Sequence, residues 1–320
     1  MNRQYLDGFE SAKVILKTLE KCNYCPRNCN ADRLNGQRGY CKSEDGFDIS
    51  SIIIHHGEEP VISGKNGICN IFFNRCNIQC VYCQNHQISR NNGNLSVVSA
   101  DFQNVISQIV KILDCGIDAV GFVSPSHFIP QVISIIKALE EIGRNPIYVY
   151  NTNGYDKVST IRMLEGLIDV YLPDLKYMDD SLALELSDAP NYPEYAFSAV
   201  CEMYRQKGST LLTNRNNYAE SGLIIRHLVL PGYVDNSLRV LRKIAEEISI
   251  NVHISLMSQY YPNIHVRSHP NLQREITLKE YQIVVAEMER IGFSKGWIQE
   301  PSSAGNYNPD FLKANPFRND

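Results

Sequence analysis

The 320-residue chain has no apolar run approaching the ~20 residues that a membrane-spanning helix needs. Its first residues, Met1-Asn-Arg-Gln-Tyr-Leu-Asp, lack the apolar core of a signal peptide. A basic excess is missing too. Lys and Arg number 31 against 35 Asp and Glu, and a net charge of −4 leaves no electrostatic footprint for nucleic acid. No internal repeat or low-complexity tract interrupts the chain. Hydrophobic content of 43% and charged content of 21% describe an ordinary globular protein. The length suits one large α/β domain with a small appendage. A cytoplasmic location is expected, with no membrane and no nucleic-acid partner. In such a reducing compartment the ten cysteines read as metal ligands rather than disulfides.

Cysteine is what the chain has, and it is clustered. The central stretch is Cys76-Asn-Ile-Gln-Cys80-Val-Tyr-Cys83, spaced C-x3-C-x2-C, after the strand-like Ile71-Phe72-Phe73. Thiolates bind iron–sulfur clusters, and a tight loop brings three of them to one cubane. Three thiolates leave one iron with a position for a non-protein ligand. A zinc knuckle is the competing reading, but a closed structural zinc site needs four ligands. Nearer the amino terminus, Cys22, Cys25, Cys29 and Cys41 form a second constellation, in Cys22-Asn-Tyr-Cys25-Pro-Arg-Asn-Cys29 and Gly36-Gln-Arg-Gly-Tyr-Cys41. A standard zinc site shows two C-x2-C arms, whereas this asymmetric run also suits an auxiliary iron–sulfur cluster. The site is expected to hold a second Fe–S cluster or zinc. Cys69 is a buried thiol or a spare ligand for that metal. Cys115 and Cys201 fall on helical patterns and read as buried thiols.

Strand and helix signals alternate through the rest. Strands are expected at 47–54, 70–73, 119–123, 147–150, 170–172, 223–230 and 252–257. Helices are expected at 8–21, 105–113, 132–142, 158–167, 181–187, 195–206, 237–248 and 278–291. The six apolar strands from 70 onward, each with a polar loop and helix, predict an α/β fold, a partial (β/α)6 TIM-like barrel. The expected organisation is a 1–60 helix and Cys-rich segment, a 61–300 barrel and a loosely ordered 301–320 tail. Ligands in such folds sit at the carboxyl ends of strands. Ser124-Pro-Ser-His127, Asn151-Thr-Asn-Gly154 and Pro173-Asp-Leu-Lys176 fall there. His55-His-Gly-Glu-Glu-Pro60, before the first barrel strand, reads as a solvated turn in preference to part of the active mouth.

The cysteine spacing resembles the radical S-adenosylmethionine (SAM) superfamily. By motif, the chain resembles the glycyl-radical-enzyme activating enzymes, such as pyruvate formate-lyase activating enzyme, and more closely a related group with a C-x2-C-P-R-x-C leader. The resemblance spans about Cys22 to Gln299. It implies that Cys76, Cys80 and Cys83 hold a 4Fe–4S cluster whose fourth iron is chelated by SAM. Reductive cleavage of SAM then yields methionine and a 5′-deoxyadenosyl radical that takes hydrogen from a substrate. It implies further that Tyr82 covers the adenine and that Arg226 pairs with the SAM carboxylate. Asn151, Asn153, Asp174 and Lys176 would lie around SAM. Two departures stand out. Asn151 replaces an Asp, and Ser124-Pro-Ser126-His127 replaces the Gly-Gly-Glu that binds the SAM ammonium in many members. Ser124 and Ser126 are then candidate SAM contacts, and His127 is a SAM contact, a substrate acid/base or a structural histidine. An electron donor such as flavodoxin or ferredoxin is implied. The substrate readings are a partner protein activated as a glycyl radical, a peptide, or a small metabolite. A non-catalytic Fe–S or zinc scaffold or redox sensor is the reading from another class.

Overall fold

The structure is a computed structural model that describes residues 9–92, 101–301, 309–313 and 315–317. Its strands are β1 (Ile49–His55), β2 (Ile68–Phe73), β3 (Ala119–Val123), β4 (Ile147–Thr152), β5 (Val170–Pro173), β6 (Leu212–Thr213), β7 (Ala219–Leu228), β8 (His253–Met257) and β9 (Gly296–Ile298). They form one sheet in the order β1-β2-β3-β4-β5-β7-β8-β9, with β6 paired to β7. From β2 to β9 the neighbours along this path are parallel, while β1 adds antiparallel to the outer edge of β2. This is the expected partial barrel, extended by β9. Three residues, Gly296-Trp-Ile298, are too short a run for a period-2 signal to reveal it.

Alternation along each strand sorts side chains between two cores. Phe122, Tyr150, Tyr171, Ile225 and Leu256 join the cluster shared with the helices. Ile68, Val149, Val170, Leu172 and Ile224 form a second cluster inside the barrel, closed by Ile62 from the short helix Pro60–Ser63. The surrounding helices carry the expected caps. Asp101 accepts from the Gln103 and Asn104 amides ahead of Phe102–Leu113, and a Thr277/Glu280 capping box opens Leu278–Ile291. The 158–167 helix is shorter than expected, ending at Met163. At the amino end, Glu10–Lys13 is α-helical and Val14–Lys21 continues as a 3-10 helix.

Cys69 is the buried thiol of the first alternative, although it lies within β2 rather than before it, and burial pushes its thiol up to about 12. Other expectations are corrected. Cys115 is exposed, because it falls in the turn after Leu113 rather than on the helix. Cys201 does lie on a helix, Tyr192–Lys207, but is only half-buried there. Of the tail, residues 302–308, 314 and 318–320 lie outside the described residues, but Phe311 is buried and packs edge-on against Phe72 at 5.4 Å.

The outward face of β7 holds His227, which is 1% exposed between Leu175 O at 2.7 Å and Ser237 Oγ at 2.8 Å. Burial lowers its pKa to about 4, against ~6.5 in an unfolded chain. Below pH ~6.5 the unfolded chain therefore takes up a proton that the folded chain refuses, and stability falls as pH drops toward 4. A His227→Gln variant should lose less stability than the parent between pH 7 and 5 in urea titrations. Equal losses would show that this histidine does not contribute.

Candidate functional site

The Cys76–Cys83 loop leaves the carboxyl end of β2 and is held by distant parts of the chain. Asn91 accepts the Cys76 N–H at 3.2 Å and donates to Cys76 O at 3.1 Å. The Gln79 and Val81 amides donate to Ser187 O and Leu186 O. Asn263 Nδ2 donates to both Val81 O and Cys83 O at 3.1 Å. These contacts leave the three sulfurs facing one cavity, and each has a polar partner of its own. Asn153 Nδ2 donates to Cys76 Sγ at 3.2 Å, Ser187 Oγ to Cys80 Sγ at 3.0 Å and Ser89 Oγ to Cys83 Sγ at 3.3 Å.

The Asn153 amide is oriented by its oxygen, which accepts the Tyr155 N–H at 2.9 Å, so its NH2 faces both the sulfur and Asn77 Oδ1, the latter at 2.8 Å. The Cys76 thiol also reaches Asn77 Oδ1, at 3.7 Å. Burial pushes the Cys76 thiol up to about 12, so a cation is needed to hold it ionised. Lys176 supplies such a charge to Cys80. Burial alone would depress its ammonium, but Asp174, 2.6 Å away, and the Cys80 sulfur keep its pKa above the ordinary value.

Below the sulfurs lies a cavity partly open to solvent. Tyr82, Ser124, Asn151, Asn153, Asp174, Lys176 and Arg226 all line it, as the sequence expects of a rim of strand ends. The Tyr82 hydroxyl is 2.5 Å from Tyr177 OH, which meets Ser187 Oγ at 2.7 Å, so a hydrogen-bonded chain reaches Cys80. Ser124 adopts a left-handed φ of 51° directly before Pro125, where extended backbone is favoured. Two expected contacts lie elsewhere. Ser126 is fully buried behind the strands, 3.1 Å from Thr152 Oγ1, because it follows the outward course of the chain after Val123. His127 is 2% exposed, bonds Asn74 O through Nε2 at 3.0 Å and lines the amino-terminal cysteine cavity. Burial lowers its pKa to about 3, which fits the structural reading.

The turn expected to be solvated is instead the floor of the cavity. Glu58 and Glu59 are buried inside the barrel, where Arg226 from β7 meets Glu58 at 3.1 Å, Glu59 at 3.4 Å and Asp174 at 3.9 Å. Asn70 and Asn151 donate to Glu58 Oε1 at 2.9 and 3.2 Å. Burial alone would raise the Glu58 pKa, but Arg226, His55 and the two amides together hold it below the ordinary range. Gly121 makes this packing possible, since a Cβ there would sit 2.1 Å from Asn70 Oδ1. The only sequence signal for this floor was an acidic pair set directly between β1 and the apolar Val61-Ile62.

Cys22, Cys25, Cys29 and Cys41 line a separate small cavity. Cys22, Cys29 and Cys41 all lie near enough to Cys25 to add to the upward shift that burial gives its thiol. Tyr40 N–H donates to Cys29 Sγ at 3.3 Å and Arg33 Nη1 to Cys22 Sγ at 3.8 Å. Gly39 clears the approach to Cys29, because a Cβ there would lie 2.7 Å from its sulfur. Arg33 is 1% exposed and, among the described residues, has no carboxylate in salt-bridge range. A buried lone cation is costly, and this one is held by Glu44 O at 2.8 Å, His127 O at 2.7 Å and the face of the Phe128 ring at 5.3 Å. Among the described residues no three ligand side chains close on one point as a single ion requires. This segment packs on the first loop directly: Arg27 Nε donates to Asn77 O at 2.8 Å, and Asn91 Nδ2 to Tyr40 O at 3.1 Å.

No family model matches the chain. It is 29% identical over 276 residues, 85% of this chain and 75% of the other, to the uncharacterized protein MJ0674 of Methanocaldococcus jannaschii. Solved structures of similar backbone include a domain of pyruvate-formate lyase-activating enzyme from Bacteroides vulgatus, at 15% identity and TM-score 0.39 over 54% of this chain and 93% of that one. SuiB of Streptococcus suis bound to S-adenosylmethionine matches at 14% and 0.48, over 71% of this chain and 48% of SuiB. The hydrogenase maturase HydG from Carboxydothermus hydrogenoformans matches at 13% and 0.48, over 76% and 55%.

Replacing Arg226 by Ala should destabilise the fold by about 3–5 kcal/mol, because Glu58 and Glu59 would be left buried without their cation. Denaturant titration measures this, and a loss under ~1 kcal/mol would mean that the floor tolerates water.

Proposed function

We propose that the chain is a radical SAM enzyme that cleaves S-adenosylmethionine reductively and abstracts hydrogen from a substrate. The observation that carries this reading is the set of three cavity-facing sulfurs, each with its own hydrogen-bond donor, at the carboxyl ends of a parallel sheet. When bound, a 4Fe–4S cluster on Cys76, Cys80 and Cys83 supplies the electron that splits the sulfonium into methionine and a 5′-deoxyadenosyl radical. The chain's own residues do the positioning. Asn153, Ser187 and Ser89 orient the sulfurs, and such donors also set a cluster's potential. Tyr82, Ser124, Asn151 and Asn153 surround the space above the floor and would contact SAM. Arg226 and Lys176 offer cations to its carboxylate, and Glu58 and Asp174 offer carboxylates to its ammonium.

For the substrate we favour a protein or peptide segment over a small metabolite, with glycyl-radical activation as one form of that chemistry. A flavodoxin- or ferredoxin-like carrier would deliver the electron. The amino-terminal cysteines, asymmetric in spacing, would hold a second cluster in preference to zinc.

Anaerobic reconstitution with iron and sulfide, then dithionite and SAM, should yield 5′-deoxyadenosine. Replacing Cys76, Cys80 and Cys83 together by Ala should abolish it, and undiminished product would sink the assignment. Metal analysis of that same variant reads the other site. About four residual irons would indicate a second cubane and one zinc a structural ion, whereas neither metal with a folded amino-terminal segment would rule the second site out.

A further inference from the structure

The carboxyl-terminal residues return to the mouth of the cavity. Gln87 sits on the short helix His86–Ser89, just past Cys83, and grips the tail at two points. Its Nε2 donates to Asp310 Oδ1 at 3.0 Å and its Oε1 accepts the Phe311 N–H at 2.7 Å. Phe317 lies 4.2 Å from the His55 ring and 5.5 Å from Phe72, which also meets Phe311. The tail forms a turn of its own, with the Asp310 N–H donating to Pro316 O at 2.8 Å. Pro309 and Phe317 contribute wall to the cavity that the three sulfurs face.

A side-chain amide that reads one backbone N–H and the neighbouring carboxylate, beside an apolar floor that takes two aromatic rings, is a peptide-recognition arrangement. We propose that this mouth is a peptide-docking surface, occupied in cis by residues 309–313 and 315–317, and that the tail must be displaced when a partner's turn-forming segment with aromatic residues docks. The surface lies against the Cys76–Cys83 loop, so a segment seated there reaches the reacting end of the cavity. This deepens the radical SAM reading by naming what enters the site, and rests on it only for the chemistry that follows docking.

The test uses a fluorescein-labelled synthetic peptide with the sequence of residues 309–317. It is titrated by anisotropy into the full chain and into a full-length Phe311→Ala/Phe317→Ala variant. The variant should bind it at least tenfold more tightly, because its own tail no longer competes, and a peptide with both phenylalanines replaced by Ala should not displace it. Equal affinity for the folded variant and the parent overturns the proposal. Should the double variant not fold, Gln87→Ala serves instead. Amide exchange at Phe311 should quicken at least tenfold, and unchanged exchange overturns the proposal. Formation of 5′-deoxyadenosine by the parent is scored separately. Its absence with docking intact removes the radical reading alone, and its presence without docking removes only this proposal.

Discussion

A guanidinium inside a barrel is the constraint on which the rest of the site depends. Arg226 sits where an isolated charge would cost several kcal/mol, and it survives because Glu58, Glu59 and Asp174 surround it. To bring the two glutamates there, the chain after β1 must turn into the barrel, which places Pro60–Ser63 and Ile62 on its inner apolar cluster. Room for the supporting Asn70 requires Gly121 on the neighbouring strand. One ion-pair network thus fixes the antiparallel edge strand, the barrel plug and the cavity floor together.

The cysteine loop shows the same convergence one layer higher. Its backbone is held by Asn91, Ser187, Leu186 and Asn263, and its sulfurs by Asn153, Ser187 and Ser89, so segments distant in sequence meet on one short loop. A loop held this way owes its geometry to the protein's own hydrogen bonds, which lowers the ordering cost of whatever it binds. Direct packing of the Arg27 and Tyr40 segment on the same loop makes the amino-terminal cysteines part of this support as well.

Strands and helices were legible in the sequence because their signal is local. Ala119–Val123 and Ile147–Tyr150 are short apolar runs bounded by polar loops, and Leu278–Ile291 carries both of its caps. The cysteines of the central loop were legible for the same reason, since Cys76, Cys80 and Cys83 are close neighbours in the chain. What stayed hidden is pairing at long range. Glu58 meets Arg226 across 168 positions, and Gln87 meets Phe311 across 224. A pair of acids before a proline looks like a turn until the arginine that neutralises it is placed. A tail rich in Asn, Pro and Gly looks loose until Phe72 and His55 supply a surface for its rings. Ser126 misleads in another way, because a residue at a strand end faces the cavity or the helices according to parity that a loop erases.

Charge is the last constraint on the cavity. Its lining carries the carboxylates of Glu58 and Asp174 and the cations Arg75, Lys176 and Arg226. Each of these charges has a partner: Arg226 meets both carboxylates, Lys176 meets Asp174, and Arg75 meets Asp48. A simple anion therefore finds no free cation among the described residues of the wall, and a ligand must match an alternation of both signs. Low dielectric in the barrel strengthens these pairs, so the buried network that stabilises the fold also fixes the charge that lines the space above it.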